Sequence, residues 1–223
     1  ADIVISGADY AHTDQKLLQI NANYSNSYWD KRTMAPSSLL FYVGVNKKLE
    51  NLEHHNLFFD ESLEEHGKEI YKDPKWPTAP LFYLSAPSKT DPSVAPEGCE
   101  NLFFLVPIAP DLTDDEATRE KYFDILVKRL KDITGNDIRE NIVYKRSYCI
   151  KDFKNDYHAF KGNAYGLANT LRQTAILKPS LKNKKLKNFY YTGQLTVPGP
   201  GVPPSIISGE VVARQIIKEF PLK

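Results

Sequence analysis

The chain has 223 residues, of which 41% are hydrophobic and 26% are charged, and its formal net charge is +1. This length and composition are typical of one large or two smaller globular domains. The near-zero net charge gives no reason to expect a nucleic-acid partner. No run approaches the roughly 20 apolar residues that a membrane-spanning helix requires. The first ten residues contain no basic region and no long apolar core, so we expect no signal peptide. The two cysteines have no metal-binding or redox spacing, which favours a cytoplasmic location.

The first predicted element is a short strand. Ile3-Val4-Ile5 is a β-branched run followed by a turn at Gly7, a pattern that predicts a buried strand. One glycine after a strand is not a nucleotide-binding fingerprint, which requires several glycines at fixed spacing.

Five further runs have the length and composition of strands. They are rich in aromatic and β-branched residues and are separated by clusters of Pro, Gly, Asp and Asn, a pattern that favours a largely antiparallel sheet. The runs are residues 39–45, 55–59, 81–86, 102–107 and 140–150.

One long helix is predicted between the fourth and fifth of these runs. Thr113 and Glu116 form a capping-box pattern at its start, and Gly135 follows its end. The acidic first turn suits the positive end of the helix dipole, a simpler interpretation than a metal site. Asp124 and Lys128 are spaced as an exposed i, i+4 ion pair. The predicted buried face consists of Phe123, Leu126, Val127, Leu130 and Ile133.

The last third of the chain is predicted to contain a loop, a strand and a final helix. Residues 161–175, KGNAYGLANTLRQTA, indicate a glycine-hinged loop that continues into a helix, and 188–193, NFYYTG, indicate a buried strand.

The segment between that strand and the final helix is rich in proline and glycine. It reads TGQLTVPGPGVPPSIISGE over residues 192–210, with four prolines and three glycines between Pro198 and Gly209. Pro203 and Pro204 suit the first positions of a helix, and Gly199 and Gly201 allow close approach of a ligand to the backbone. A strand, a glycine-rich loop and a helix start leave backbone N–H groups free to bind an anion. A phosphate, a reduced flavin or a proline-stiffened connection without ligand are all compatible with this pattern.

This segment resembles the flavin-contacting signature of bacterial-type phytoene desaturases, a branch of the FAD-dependent amine oxidase-like superfamily. Four other segments are similar to that family in the expected order, so the resemblance covers essentially the whole chain. They are LLFYVGV, HHNLFFD, PSKTDPSVAPEGCENLFFLVPIAP and GNAYGLANTLRQTA. The family begins with a strand followed by a GxGxxG motif and a ribose-binding acidic residue, and this chain has neither the motif nor that acidic residue.

The resemblance implies an α+β fold, a fragment of an α/β superfamily. A mostly antiparallel substrate-domain sheet with covering helices is expected over residues 26–159, and C-terminal pieces of a Rossmann-like FAD domain over 1–25 and 160–223. The residues implied to contact the flavin are Thr192, Gly193, Gln194, Pro200, Gly201, Val202 and Pro203. The residues implied to lie near the ring or the substrate are Asn163, Tyr165 and Gly166. No catalytic residue and no metal ligand is assigned.

The implied activity is removal of hydrogens from a C40 isoprenoid, with phytoene as the expected substrate and FAD as the cofactor of the full-length enzyme. Without the nucleotide-binding half, the fragment itself is expected to lack FAD and activity, and to self-associate through exposed apolar surface. A carotenoid isomerase, a retinoid saturase, an isoprenoid- or lipid-binding module and a purely structural domain remain alternatives. The lysine-rich run 177–188 is either a solvated loop or a peripheral contact with the inner face of the cell membrane.

Overall fold

The computed structural model describes residues 1–221. The chain divides into two compact units: unit 1 comprises Ala1–Pro36 and Asp152–Lys223, and unit 2 comprises Ser37–Lys151. The helices are α1 (Tyr10–His12), α2 (Asn26–Asp30), α3 (Leu63–Tyr71), α4 (Glu116–Thr134), α5 (Ile150–Tyr157) and α6 (Val202–Glu219). The strands are β1 (Val4–Ser6), β2 (Ser37–Val45), β3 (His55–Phe58), β4 (Phe82–Ser85), β5 (Glu100–Ile108), β6 (Ile142–Tyr148) and β7 (Phe189–Tyr191). A π-helical turn, Thr13–Leu18, continues α1.

Unit 2 is built on a five-stranded sheet in the order β3-β4-β5-β2-β6, and every neighbouring pair is antiparallel. The two longest strands, β2 and β5, pair over nine residues, with Ser37 opposite Ile108 and Val45 opposite Glu100. The side chains of β5 alternate between buried and half-buried along its whole length, as expected for a strand with one core face. The predicted antiparallel sheet is therefore confirmed.

Helix α4 supplies the apolar face that covers the unit 2 core. Four of the five residues predicted for that face are buried, but Ile133 in the last turn is 51% exposed. Gly135 follows the helix in the left-handed conformation with φ 79°, which confirms the predicted stop.

The start of α4 differs from the prediction. The N-cap is Asp115 rather than Thr113, and its carboxylate accepts a hydrogen bond of 2.8 Å from the Thr118 N–H. Asp114 is buried, and its carboxylate accepts bonds of 2.7 and 2.6 Å from the Arg119 guanidinium. It also accepts a 2.8 Å bond from the Lys151 N–H, so contacts distant in sequence hold this residue before the first turn.

The predicted ion pair within α4 is also absent. Lys128 binds Asp132 at 2.6 Å, and Asp124 binds Arg139 at 2.6 Å instead. Each residue therefore pairs with a different partner, so the i, i+4 spacing between Asp124 and Lys128 was not sufficient to predict their ion pair.

Unit 1 contains a two-stranded parallel sheet formed by β1 and β7, with Ile5 opposite Tyr190. Both predicted strands exist, but β1 is not buried, since Val4 is 37% and Ile5 is 51% exposed. The unit has a separate core of mostly aromatic residues, in which Tyr10 stacks on Tyr191 at a centroid distance of 3.7 Å.

The helix predicted after the glycine loop does not form. Residues 168–174 are irregular backbone, turns and bends, followed by one short 3-10 turn at Ala175–Leu177. The Gln173 side chain accepts a bond from the Thr33 N–H at 2.9 Å and donates to the Thr33 carbonyl at 2.8 Å. These side-chain contacts with a distant segment hold the loop in a non-helical form. Across residues 1–221, no helix combines the length and apolar character needed to cross a membrane.

Candidate functional site

The proline- and glycine-rich segment lies between β7 and α6, as predicted. Gly201 is the N-cap of α6 with φ 100°, and Pro203 occupies the second helical position. Gly199 has φ 137° and is buried. These positive φ values are readily adopted only by glycine, so both residues are required by the backbone path itself.

The start of α6 offers fewer hydrogen-bond donors than an ordinary helix. Pro203 and Pro204 have no N–H group, and the Ser205 N–H is bonded to the Gly201 carbonyl at 3.1 Å. In the first turn the Val202 N–H is left as the donor available to a ligand. The expected row of free N–H groups is therefore reduced to one.

Hydrogen bonds tie the loop after β7 to the body of α6. The Gly193 N–H donates to the Ser208 hydroxyl at 2.8 Å, and that hydroxyl donates to the Ser205 carbonyl at 2.6 Å. The Thr196 hydroxyl donates to the Gly193 carbonyl at 2.8 Å. The position of the loop relative to the helix is thus set before any ligand binds.

A second loop contacts this one through Asn163, Gly166 and Gln194. Asn163 is 1% exposed, and its Oδ1 accepts bonds from the Gly166 N–H at 2.7 Å and from Gln194 Nε2 at 3.3 Å. Its Nδ2 donates to the Phe160 carbonyl at 2.7 Å. A Cβ atom on Gly166 would lie 2.4 Å from the Gln194 carbonyl oxygen, so the two backbones approach as closely as glycine permits.

The other predicted site residues are distributed around these contacts. Thr192 faces β1, where its N–H donates to the Ser6 carbonyl at 3.0 Å. Tyr165 and Pro200 are half-buried, whereas Pro203 is exposed and Val202 is 74% exposed. The structure thus brings Asn163, Gly166 and Gln194 into direct contact.

The sequence analysis missed one residue at this site, Lys178. It is 6% exposed, although it was grouped with the solvated lysines of run 177–188. A Cβ atom on Gly199 would lie 3.1 Å from Lys178 Cε and 3.3 Å from Nζ, so the amine packs against the loop before α6. Burial lowers the pKa of this amine. Lys178 precedes a proline, unlike the other lysines of the run, but this difference does not predict burial.

Unit 1 also contains a cavity of about 250 Å³ with a cationic lining. The rings of His12 and His158 stack there at 4.2 Å, beside Lys16 and Lys161. Burial, together with His158 and Lys16, lowers the pKa of His12. Such a lining suits anionic or polar groups and not a hydrocarbon.

The comparisons with known proteins give a consistent result over almost the whole chain. No family model matches it. The chain is 45% identical over 220 residues to the carotenoid 3,4-desaturase of Haloarcula japonica, an alignment that covers 98% of this chain and 44% of that protein. It is 30% identical over 245 residues to the phytoene desaturase of Fusarium fujikuroi, covering 100% of this chain and 43% of that protein.

A crystal structure of an oxidoreductase from Methanosarcina mazei has a similar fold, with a TM-score of 0.56 and 13% identity over 96% of this chain and 43% of that one. The chain therefore spans less than half the length of the proteins it matches. The resemblance seen in the sequence motifs is confirmed, since the chain is similar over almost its whole length to members of the carotenoid desaturase family.

Proposed function

We propose that the chain forms part of an FAD-dependent carotenoid desaturase, which removes hydrogens from a C40 isoprenoid and extends its conjugated polyene. The observation that carries this proposal is the 45% identity to a carotenoid 3,4-desaturase over 98% of the chain. The relatives are more than twice as long, so we assign the activity to a longer protein and expect residues 1–223 alone to be inactive.

The exposed parallel strands of unit 1 support a role as part of a larger domain. Parallel sheets are normally covered on both faces, yet β1 exposes Val4 and Ile5. A sheet of two short parallel strands also lacks the area for an independent core. We therefore assign unit 1 to the pieces of a Rossmann-like FAD domain and unit 2 to the substrate domain. The proposed substrate domain is therefore residues 37–151, as in the observed unit 2, instead of the expected residues 26–159.

The residues around the start of α6 fit a flat ring that carries partial negative charge. Gly199 packs directly against the buried side chain of Lys178, whose Nζ atom has no internal partner. The residues we propose to hold the flavin are Thr192, Gly193, Gln194, Pro200, Gly201, Val202 and Pro203. Bound FAD would supply the capacity to accept two electrons, which no protein side chain provides here.

The chain's own residues would position the ring and shield it from water. The bond that Asn163 Oδ1 accepts from Gln194 Nε2 joins the second loop to the first, and the bond that it accepts from the Gly166 N–H closes the second loop. Half-buried Tyr165 lies next to this contact in sequence. We propose that Asn163, Tyr165 and Gly166 lie on the substrate side of the site. A hydrocarbon offers no hydrogen-bonding group, so its recognition rests on apolar surface shape.

The substrate class follows from the two named relatives. One is named for a carotenoid 3,4-desaturation and the other for phytoene, so we propose a carotenoid hydrocarbon and test both kinds. The full-length protein would be incubated with FAD and either phytoene or a conjugated carotenoid saturated at C3–C4. Loss of two mass units per new double bond with a red-shifted absorption supports a desaturase. Isomerisation of a cis-carotene while phytoene returns unchanged, or a gain of two mass units by a retinoid, would contradict it.

A flavin titration distinguishes a site divided between residues 1–223 and the rest of the protein from a site formed by residues 1–223 alone. FAD would be titrated into residues 1–223 and into the full-length protein while flavin fluorescence is measured. We expect binding by the full-length protein only, because residues 1–223 contain no GxGxxG segment for the pyrophosphate. Tight binding by residues 1–223 would refute the division of the site.

We also propose a peripheral membrane contact, since a bilayer holds the hydrocarbon substrate. Leu171 and Ile176 are 92% and 96% exposed, and they precede the exposed Lys184, Lys185 and Lys187. Exposed apolar side chains beside lysines favour a surface rich in anionic lipid. Vesicle sedimentation tests this: binding to anionic vesicles that weakens with salt supports the contact, and no binding contradicts it. Vesicle or hydrocarbon binding by a full-length protein that takes up no flavin would favour the lipid-binding module.

A further inference from the structure

Lys178 has a buried amine with no internal partner. Its Nζ atom is inaccessible to solvent and makes no hydrogen bond within the described part of the chain. Burial is the one cause that shifts its pKa, and no carboxylate contributes. Burying an uncompensated ammonium group costs several kcal/mol, and proteins retain such a group when another component supplies the opposite charge.

The position of the amine is close to the start of α6. Nζ packs against Gly199, which precedes the Gly201 N-cap by two residues. Asn169 Oδ1 lies 3.2 Å from the position of a Cβ atom on Gly199. The helix end itself carries roughly half a positive charge. Two positive elements thus lie beside one loop, with no negative side chain of residues 1–221 paired to the lysine.

The prolines at the helix start make an additional donor necessary. An anion at an ordinary helix N-terminus is bound by several N–H groups, but Pro203 and Pro204 leave only the Val202 N–H in the first turn. A charged amine supplies a hydrogen bond stronger than those missing donors would. Lys178 offers a donor of this kind beside Gly199, two residues before the Gly201 N-cap.

We infer that Lys178 binds the anionic ligand at the start of α6 and that this ligand is the negatively charged N1–C2=O edge of a reduced flavin. This inference rests on the proposed flavin site and adds to it a cationic residue that stabilises the reduced ring. Lys178 is thus assigned the role of setting the redox properties of the flavin.

The test compares Lys178→Met with Lys178→Arg in the full-length flavoprotein. Lys187→Met is the matched control, because Lys187 is an exposed lysine of the same run. Sulfite affinity is the readout, since sulfite adds to flavin N5 and leaves negative charge on the N1–C2=O edge, without turnover. A hydrogen bond to a charged group is worth about 1.5–3 kcal/mol. We therefore expect the sulfite Kd to rise roughly 10- to 100-fold in Lys178→Met.

The control and the conservative variant separate charge from structure. Lys187→Met should leave the sulfite Kd within about twofold of the unmutated value, and Lys178→Arg, which keeps the positive charge, should retain more of the affinity than Lys178→Met. A tenfold change corresponds to about 30 mV in a two-electron potential, which dye equilibration would measure independently. An unchanged Kd and potential in a Lys178→Met protein that still binds flavin would overturn the inference and leave the proposed function intact.

If Lys178→Met does not fold, a measurement on the unmutated protein still tests the inference. The NMR signal of the Lys178 ε-carbon should shift when flavin binds and again when it is reduced, while that of Lys187 should not. An unshifted Lys178 signal would overturn the inference. If the unmutated full-length protein bound no flavin at all, the proposed function would fail first and this inference with it.

Discussion

Replacing Gly166 by alanine tests whether the two loops of the candidate site meet at their backbones. Gly166 has φ 97°, and an added Cβ would lie 2.4 Å from the Gln194 carbonyl oxygen and 2.8 Å from its carbon. Because both atoms belong to the backbone, no side-chain rotation relieves the clash. Gly193 is the matched control: it has φ 104°, and a Cβ there would meet nothing within 4 Å.

The magnitudes follow from these two environments. Both substitutions force alanine into a sparsely populated backbone region, at a cost of about 1–3 kcal/mol. Only Gly166→Ala adds overpacking, at a further cost of about 1–3 kcal/mol. We expect Gly166→Ala to lower the free energy of unfolding of unit 1 by about 2–6 kcal/mol, and Gly193→Ala by about 1–3 kcal/mol.

The two tryptophans allow each unit to be followed separately. Trp29 is fully buried in unit 1, and Trp76 lies in unit 2. In a Trp76→Phe background, urea unfolding monitored by tryptophan fluorescence reports unit 1 alone. Equal unfolding free energies for Gly166→Ala and Gly193→Ala would refute the close backbone contact.

Three further predictions concern other parts of the chain. The buried pair of Asp114 and Arg119 should make unit 2 acid-sensitive. Burial raises the pKa of Asp114, but the hydrogen bonds from Arg119 and the Lys151 N–H, together with the charges of both residues, outweigh burial and lower the pKa from its ordinary value of 3.8. The stability it contributes is therefore present above pH 3.8 and lost as the pH falls through the lower folded value. Asp114→Asn should lower the free energy of unfolding of unit 2 by about 3–5 kcal/mol at neutral pH and weaken its dependence on pH in the acid range. An acid-unfolding midpoint equal to that of the unmutated protein would contradict this. Leu126→Ala, at a fully buried position, should cost about 2–5 kcal/mol by urea unfolding, whereas Ile133→Ala at an exposed position should cost well under half as much. Ile5→Asp should reduce self-association of residues 1–223 in light scattering without lowering stability, and undiminished association would show that β1 is not the contact.

Local patterns predicted most elements of the fold correctly. Helix α4 follows from a period of 3.6 residues, and the strands of unit 2 follow from aromatic and β-branched runs between turn residues, all of which are properties of the local sequence. The start of α6 was predicted because Pro203 and Pro204 have a fixed φ that suits the first positions of a helix. The helix expected near residue 170 was wrong, because contacts between Gln173 and Thr33 outweighed local propensity.

The candidate site was only partly accessible to sequence reasoning. The motifs led to the correct family and to the loop residues Asn163, Gly166 and Gln194, which the structure brings together. Lys178 could not be separated from the neighbouring lysines, because burial of one member of a charged run depends on what packs over it.

The sequence by itself determined the periodic elements, the proline-glycine start of α6 and the family, all of which depend on residue types at short spacing. Only the tertiary structure decided which side chains lose their water: Lys178 is buried, Ile5 is exposed, and Asp114 is held by Arg119 and Lys151. The physical reason is that burial and ion pairing depend on residues distant in sequence that folding brings into contact, and no local pattern encodes which ones meet.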